Sequence, residues 1–194
     1  MRSSYLLAEQ LRAGTDVLAV TALDFPRPDQ QEDAAPGPHQ GPGVAMVGGV
    51  RHLRLLREQV PPHEHADDYL SRFATALAEV VREERPALLH AHSGLRGYDL
   101  AKVALAVGRA TDTPVVYEVR GFFEALWTQD LAWSERSELY RLRRAVEASC
   151  MHQADAVATL SESMRQDILQ RGIDPDKVFV VPNGVDPEAL RPAP

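Results

Sequence analysis

Four short stretches carry side chains able to do chemistry. The first is His90-Ala91-His92-Ser93-Gly94. Residues two apart on a strand share a face, and imidazoles exchange protons near neutral pH or ligate metals. The pair is half of a metal site, but two histidines cannot close one and no cysteine or carboxylate adjoins them in sequence. No metal is therefore expected; the plainer reading is one ring packed under a helix and one at the strand mouth. The second stretch is Tyr117-Glu118-Val119-Arg120-Gly121. Charges at the end of a buried strand are costly unless paired. Glu118 and Arg120 either pair with each other or reach a cleft, where Gly121 admits a close backbone approach. The third, Ser161-Glu162-Ser163, opens a helix whose free N–H groups suit an anion or a hydroxyl, or serve plain capping. The fourth, Asn183-Gly184, shapes a turn.

Other candidates are weaker. His63-Glu64-His65 lies in a Pro-rich loop and is expected to be solvated. Trp127 and Trp133 flank Asp130, where packing is favoured over sugar stacking. Cys150 lacks a neighbouring base and reads as inert packing. G-x-G-x-x-G, P-loop and G-x-S-x-G motifs are missing, which removes the main supports for a dehydrogenase or a nucleotide hydrolase. Val47-Gly48-Gly49-Val50 reads as a turn and not as a phosphate cradle.

These stretches need elements to position them. Leu6, Leu7 and Leu11 keep helical spacing, with Gly14 as the stop. Asp16–Leu23 reads as a buried strand, residues 26–43 as a flexible Pro/Gly-rich loop, and Val50–Leu55 as a strand. A helix from Asp67 to Pro86 turns Leu70, Phe73, Leu77, Val80 and Val81 inward. Strand Ala87–Ala91, helix Tyr98–Arg109 and strand Val115–Val119 follow. One long helix is predicted over Ser134–His152, with Leu139, Leu142 and Val146 as its stripe. Strand Ala154–Leu160, a helix from Ser163 to Arg171 and strand Val178–Val181 complete the pattern. Alternating short apolar strands and helices mean an α/β fold, with a Rossmann-like, doubly wound, mostly parallel sheet. Ligands of such sheets bind beyond the carboxyl ends of the strands, which is where all four stretches fall.

The chain has 194 residues and a net charge of −7. That acidity argues against nucleic-acid binding, which needs a basic surface. A single cysteine excludes an internal disulfide. No apolar run reaches the about 18 residues of a membrane span, and no signal-peptide core is present. A cytoplasmic protein is expected, with peripheral membrane contact left open.

Together the motifs resemble a known family. Val180-Val181-Pro182-Asn183-Gly184-Val185-Asp186 looks like the interdomain signature of retaining glycosyltransferases of the family 4 type, which have the GT-B fold. His90-Ala91-His92-Ser93, Pro114 to Glu124 and Thr159-Leu160-Ser161-Glu162 occur in the order and spacing of that family's N-terminal domain.

The resemblance implies an acceptor-binding Rossmann-like domain over residues 1–181 and the start of an interdomain linker at 182–194. A donor domain follows in the family, and this chain is expected to lack it. The first strand of the family's sheet is also expected to be missing, leaving residues 1–56 loosely held. By the resemblance, Arg120 and His92 are catalytic; Ser93, Gly94, Glu118, Gly121 and Glu124 bind the acceptor. Ser161, Glu162, Asn183 and Gly184 line the cleft edge and the domain junction. No cofactor is expected beyond a nucleotide-sugar co-substrate, bound through the missing domain, and the acceptor is a sugar or other hydroxyl compound. Many relatives place a His where Arg120 stands. The chain alone is expected to be inactive. The alternative is a non-catalytic Rossmann-like module that pairs with a separate donor-domain chain.

Overall fold

The computed structural model describes residues 2–23, 43–55, 65–92, 98–125 and 130–185. The chain is an α/β protein, and among the described residues the strands form two sheets, one of three strands and one of four. It divides into two compact units, Met1–Arg85 and Pro86–Pro194.

In the first unit, α1 spans Arg2–Arg12 and β1 spans Leu18–Thr21. Gly14, at φ +89, follows the helix as expected. The expected loop at 26–43 lies outside the described residues, apart from Gly43. β2 (Gly43–Val47) and β3 (Val50–Arg54) form an antiparallel hairpin. Its two-residue turn needs positive φ at both positions, which Gly48 (+58) and Gly49 (+81) supply. The glycine pair is thus a turn, and the strand before it was not singled out in the sequence. β3 also pairs in parallel with β1, giving the order β1-β3-β2. α2 (Ala66–Glu84) buries Tyr69, Phe73, Leu77, Ala78, Val80 and Val81, with Tyr69 taking the place expected for Leu70. It ends at Arg85 in the left-handed region, just before Pro86.

The second unit carries the parallel sheet. β4 (Leu89–His92), β5 (Val115–Val119), β6 (Ala156–Thr159) and β7 (Val178–Val180) pair in chain order. Right-handed crossovers between strands taken in sequence place the intervening helices on one face. Accordingly α3 (Asp99–Thr111) packs on β4, β5 and on α5 (Glu138–Gln153). α6 (Glu162–Gln170) packs on β7. The core gathers Tyr117, Val119, Met151, Val157 and Ile168, all fully buried.

The predicted long helix is two helices. α4 (Leu131–Arg136) stops at Ser137, which has extended backbone (φ −75, ψ 151). The Ser137 hydroxyl accepts from the Tyr140 amide and so caps α5, a role Ser fills at helix starts but not inside helices. The restart also changes the buried face. Leu139 and Leu142 are exposed (39% and 62%), and Glu147, Cys150 and Met151 are buried instead. The start of α6 differs too: Ser161, not Ser163, is its cap, accepting from the Met164 amide.

Two outcomes follow. A Cβ at Gly108 of α3 would collide with the Val115 side chain and lie 2.7 Å from the Thr113 carbonyl oxygen. Gly108→Ala should therefore lose about 1–3 kcal/mol to overpacking, outweighing a gain of about 1 kcal/mol in helix propensity, as a lowered urea midpoint. β1 is only half-buried along its length, whereas β5 is buried at four of five positions. Amides of residues 18–21 should exchange with solvent faster than those of 115–119, read by hydrogen–deuterium exchange.

Candidate functional site

Parallel pairing of β4 with β5 sets His92 beside Glu118 and His90 beside Val116. The period of the strand then puts both imidazoles on one face, with ring centroids 4.3 Å apart. Glu118 is buried, and its Oε2 is the meeting point of the site. His92 Nδ1 lies 2.6 Å from that oxygen, His90 Nε2 3.4 Å, and the Arg120 guanidinium donates to it at 3.2 Å. Arg120 also makes a short contact with His92 Nδ1. Burial pulls the His92 imidazole below its ordinary pKa; the Glu118 hydrogen bond opposes this, and the charges of His90 and Arg120 add to it. A neutral ring with Nδ1 engaged leaves Nε2 as the nitrogen that can meet a ligand.

His92, Glu118 and Arg120 are thus brought together, at the carboxyl ends of adjacent parallel strands. Ser93 and Gly94 lie outside the described residues, as do Trp127 and the first two residues of His63-Glu64-His65. Gly121 follows Arg120, and a Cβ there would meet nothing within 4 Å. Ser161 follows β6, and its hydroxyl caps α6 and shares a hydrogen bond with Ser163 at 2.9 Å. Glu162 is exposed; its carboxyl is held below the usual range chiefly by a hydrogen bond from Gln166. Asn183 and Gly184 are exposed and follow β7, where the Val181 amide donates to the Thr159 carbonyl at 2.7 Å. Cys150 is buried and its thiol is pushed up to about 11 by desolvation, in line with inert packing. Trp133 is half exposed.

Glu124 is a correction. It was expected to bind the acceptor, but it is buried and its carboxylate is engaged inside the protein. Arg171 Nη2 meets Glu124 Oε1 at 2.8 Å, and the Tyr98 hydroxyl donates to Oε2 at 3.4 Å. The same guanidinium reaches Glu147 Oε2 at 3.2 Å and Asp167 Oδ1 at 2.7 Å, and its carbon sits 4.0 Å over the Phe122 ring. Tyr117 donates to Glu147 Oε1 at 3.3 Å. Desolvation, helped by the Glu124 charge, raises the Glu147 carboxyl to about 8, so it holds a proton at neutral pH. Sequence reasoning missed Arg171 and Glu147. The available signal was a glutamate three and four residues before Cys150 and Met151 on one helix face.

Comparison with known proteins points to one family. The profile of the glycosyl transferase 4-like domain matches residues 2–184. Alpha-maltose-1-phosphate synthase of Mycolicibacterium smegmatis is 41% identical over 155 residues, which is 77% of this chain and 38% of that protein. The chain therefore spans well under half of that curated relative's length. Among solved structures, UDP-N-acetylglucosamine 2-epimerase from Rickettsia bellii is 16% identical with a TM-score of 0.43, covering 63% of this chain and 28% of its own. Among the described residues no helix is long and apolar enough to cross a membrane.

The buried carboxyl makes a pH test. In the unfolded chain Glu147 ionises near the ordinary glutamate value, about 4.3. In the fold it keeps its proton to about 8. Its stabilising proton is fully present below the lower value and lost as pH rises through the higher one. Wild-type stability should thus decline between these values relative to Glu147→Gln, which cannot ionise. The difference in urea midpoint should move in the variant's favour from pH 5 to pH 8 and level off above it.

Proposed function

The chain belongs to the glycosyl transferase 4-like family, and we propose that it is the acceptor-side half of an enzyme that moves a sugar from a nucleotide-sugar donor to a hydroxyl acceptor with retention. The observation that carries this reading is the His92–Glu118–Arg120 cluster at the carboxyl ends of β4 and β5, where open α/β sheets take their ligands.

In such a transfer the bond from the anomeric carbon to the diphosphate breaks, and its electron pair leaves with the diphosphate. A bond forms from the acceptor oxygen to that carbon, and the acceptor hydroxyl gives up its proton to an oxygen of the departing diphosphate. His92, kept neutral by burial, offers Nε2 to accept a hydrogen bond from that hydroxyl and so orients the oxygen. Glu118 fixes the ring through Nδ1. Arg120 supplies a fixed positive charge and a planar set of donors. The relative's name denotes a product that is a disaccharide 1-phosphate. We extend this to the acceptor: a sugar 1-phosphate, its phosphate held by Arg120, since guanidinium and phosphate match as bidentate partners. Donor binding is assigned to a further domain, because the chain spans 38% of the relative's length.

Isothermal titration with glucose 1-phosphate tests this reading. The protein should bind it, and Arg120→Ala should weaken binding tenfold or more, about 1.4 kcal/mol, with an unchanged circular dichroism spectrum. Binding of nucleotide sugars alone, indifferent to Arg120→Ala, would overturn the assignment.

A further inference from the structure

We propose that His90, His92 and Glu118 form a site for a divalent transition metal of the zinc type, for which Arg120 and the metal compete. This goes beyond the transferase reading and does not depend on it. Two imidazoles and one carboxylate, with a fourth position open, are a donor set that zinc accepts, and imidazole nitrogen also suits nickel and copper. Sequence spacing supplied only the two histidines. Strand pairing supplies the third ligand, 26 residues on, by setting Glu118 against His92.

The distances fit. One ligand atom from each residue lies within 4.8 Å of the other two. Metal–nitrogen and metal–oxygen bonds of about 2.0–2.2 Å at tetrahedral angles space the ligand atoms roughly 3.3–3.5 Å apart. His90 Nε2 already stands 3.4 Å from Glu118 Oε2. His92 Nδ1, at 2.6 Å, has to withdraw by less than about 1 Å to reach the same spacing. Both rings keep about a fifth of their surface exposed, so an ion can reach them from solvent.

His92 Nδ1 faces both Glu118 Oε2 and the Arg120 guanidinium. His90 Nε2 is buried with no hydrogen bond among the described residues. A cation at the centre takes the lone pairs of both nitrogens and of the carboxylate together. Arg120 brings the same sign of charge to the same oxygen, so it must leave as the metal enters.

Cobalt(II), read by visible absorption and displaced by zinc, tests the site without any activity assay. The expected result is one tetrahedral cobalt per chain. His90→Ala and the closer mimic His90→Gln should each lower affinity at least tenfold while keeping the native circular dichroism. Arg120→Ala should raise affinity severalfold, because it removes the competitor. The double change His63→Ala with His65→Ala should leave binding as it was. The proposal falls if no cobalt spectrum develops at millimolar metal, if both His90 variants bind as well as wild type, or if the His63/His65 pair abolishes binding. Unchanged affinity in Arg120→Ala would overturn the competition.

Discussion

The second unit of the fold depends on one buried guanidinium. The Arg171 side chain is 2% exposed and stands just past α6, yet it touches three segments: Glu124 after β5, Glu147 on α5 and Asp167 on α6. Burial opposes its charge, but the Asp167 hydrogen bond and the surrounding carboxylates outweigh that and keep the group protonated. Removing one side of such a buried pair costs about 3–5 kcal/mol, because the other charge is left without a partner. The arrangement therefore adds little to stability over an apolar core, but it fixes which segments meet. With Glu147 holding a proton, the fully buried charges reduce to Arg171 and Glu124, a neutral pair. Phe122 beneath the guanidinium completes the clamp on the short segment that follows β5.

That segment is where the site begins. Arg120 and Glu124 lie four residues apart and belong to two clusters of opposite design. Around Arg171 a single cation serves several carboxylates. Around Glu118 a single carboxylate serves two imidazoles and a guanidinium. The inner cluster is sealed and anchors the backbone; the outer one keeps partial exposure and lone pairs that a ligand can use. Arg120 is thus carried on a segment that Phe122 and Glu124 hold against Arg171.

The sequence made much of this legible, and where it did not the reasons are physical. Period-two spacing put His90 and His92 on one face, and the apolar runs located β4 through β7 within a few residues. The partnership of His92 with Glu118 could not be read, because register between strands 26 residues apart is a tertiary property. The long helix misled because Ser134 to His152 keeps helical composition throughout. Only the geometry of Ser137 shows that its hydroxyl serves as a cap. Leu139 and Leu142 then looked like a buried stripe, while the face that is buried contains Glu147, a residue whose charge argues for solvent until its proton and its arginine are known. Glu124 misled for the same reason: at the end of a parallel strand a carboxylate suggests ligand binding, and nothing in the sequence tied it to the distant Arg171.

Arginine at position 120 gives the outer cluster its character. A histidine there would replace a permanent charge with one that comes and goes with pH. An arginine cannot lose its proton in the range where proteins fold. One positive charge is thus constant beside Glu118. The same permanence makes Arg120 suited to a phosphate, whose charge it meets at any pH the fold survives, and unsuited to act as a base. It also sets the order of events at Glu118. Any cation that comes to this carboxylate finds another already there, so occupancy is an exchange, governed by which partner gives the carboxylate and the two rings the better-matched set of contacts.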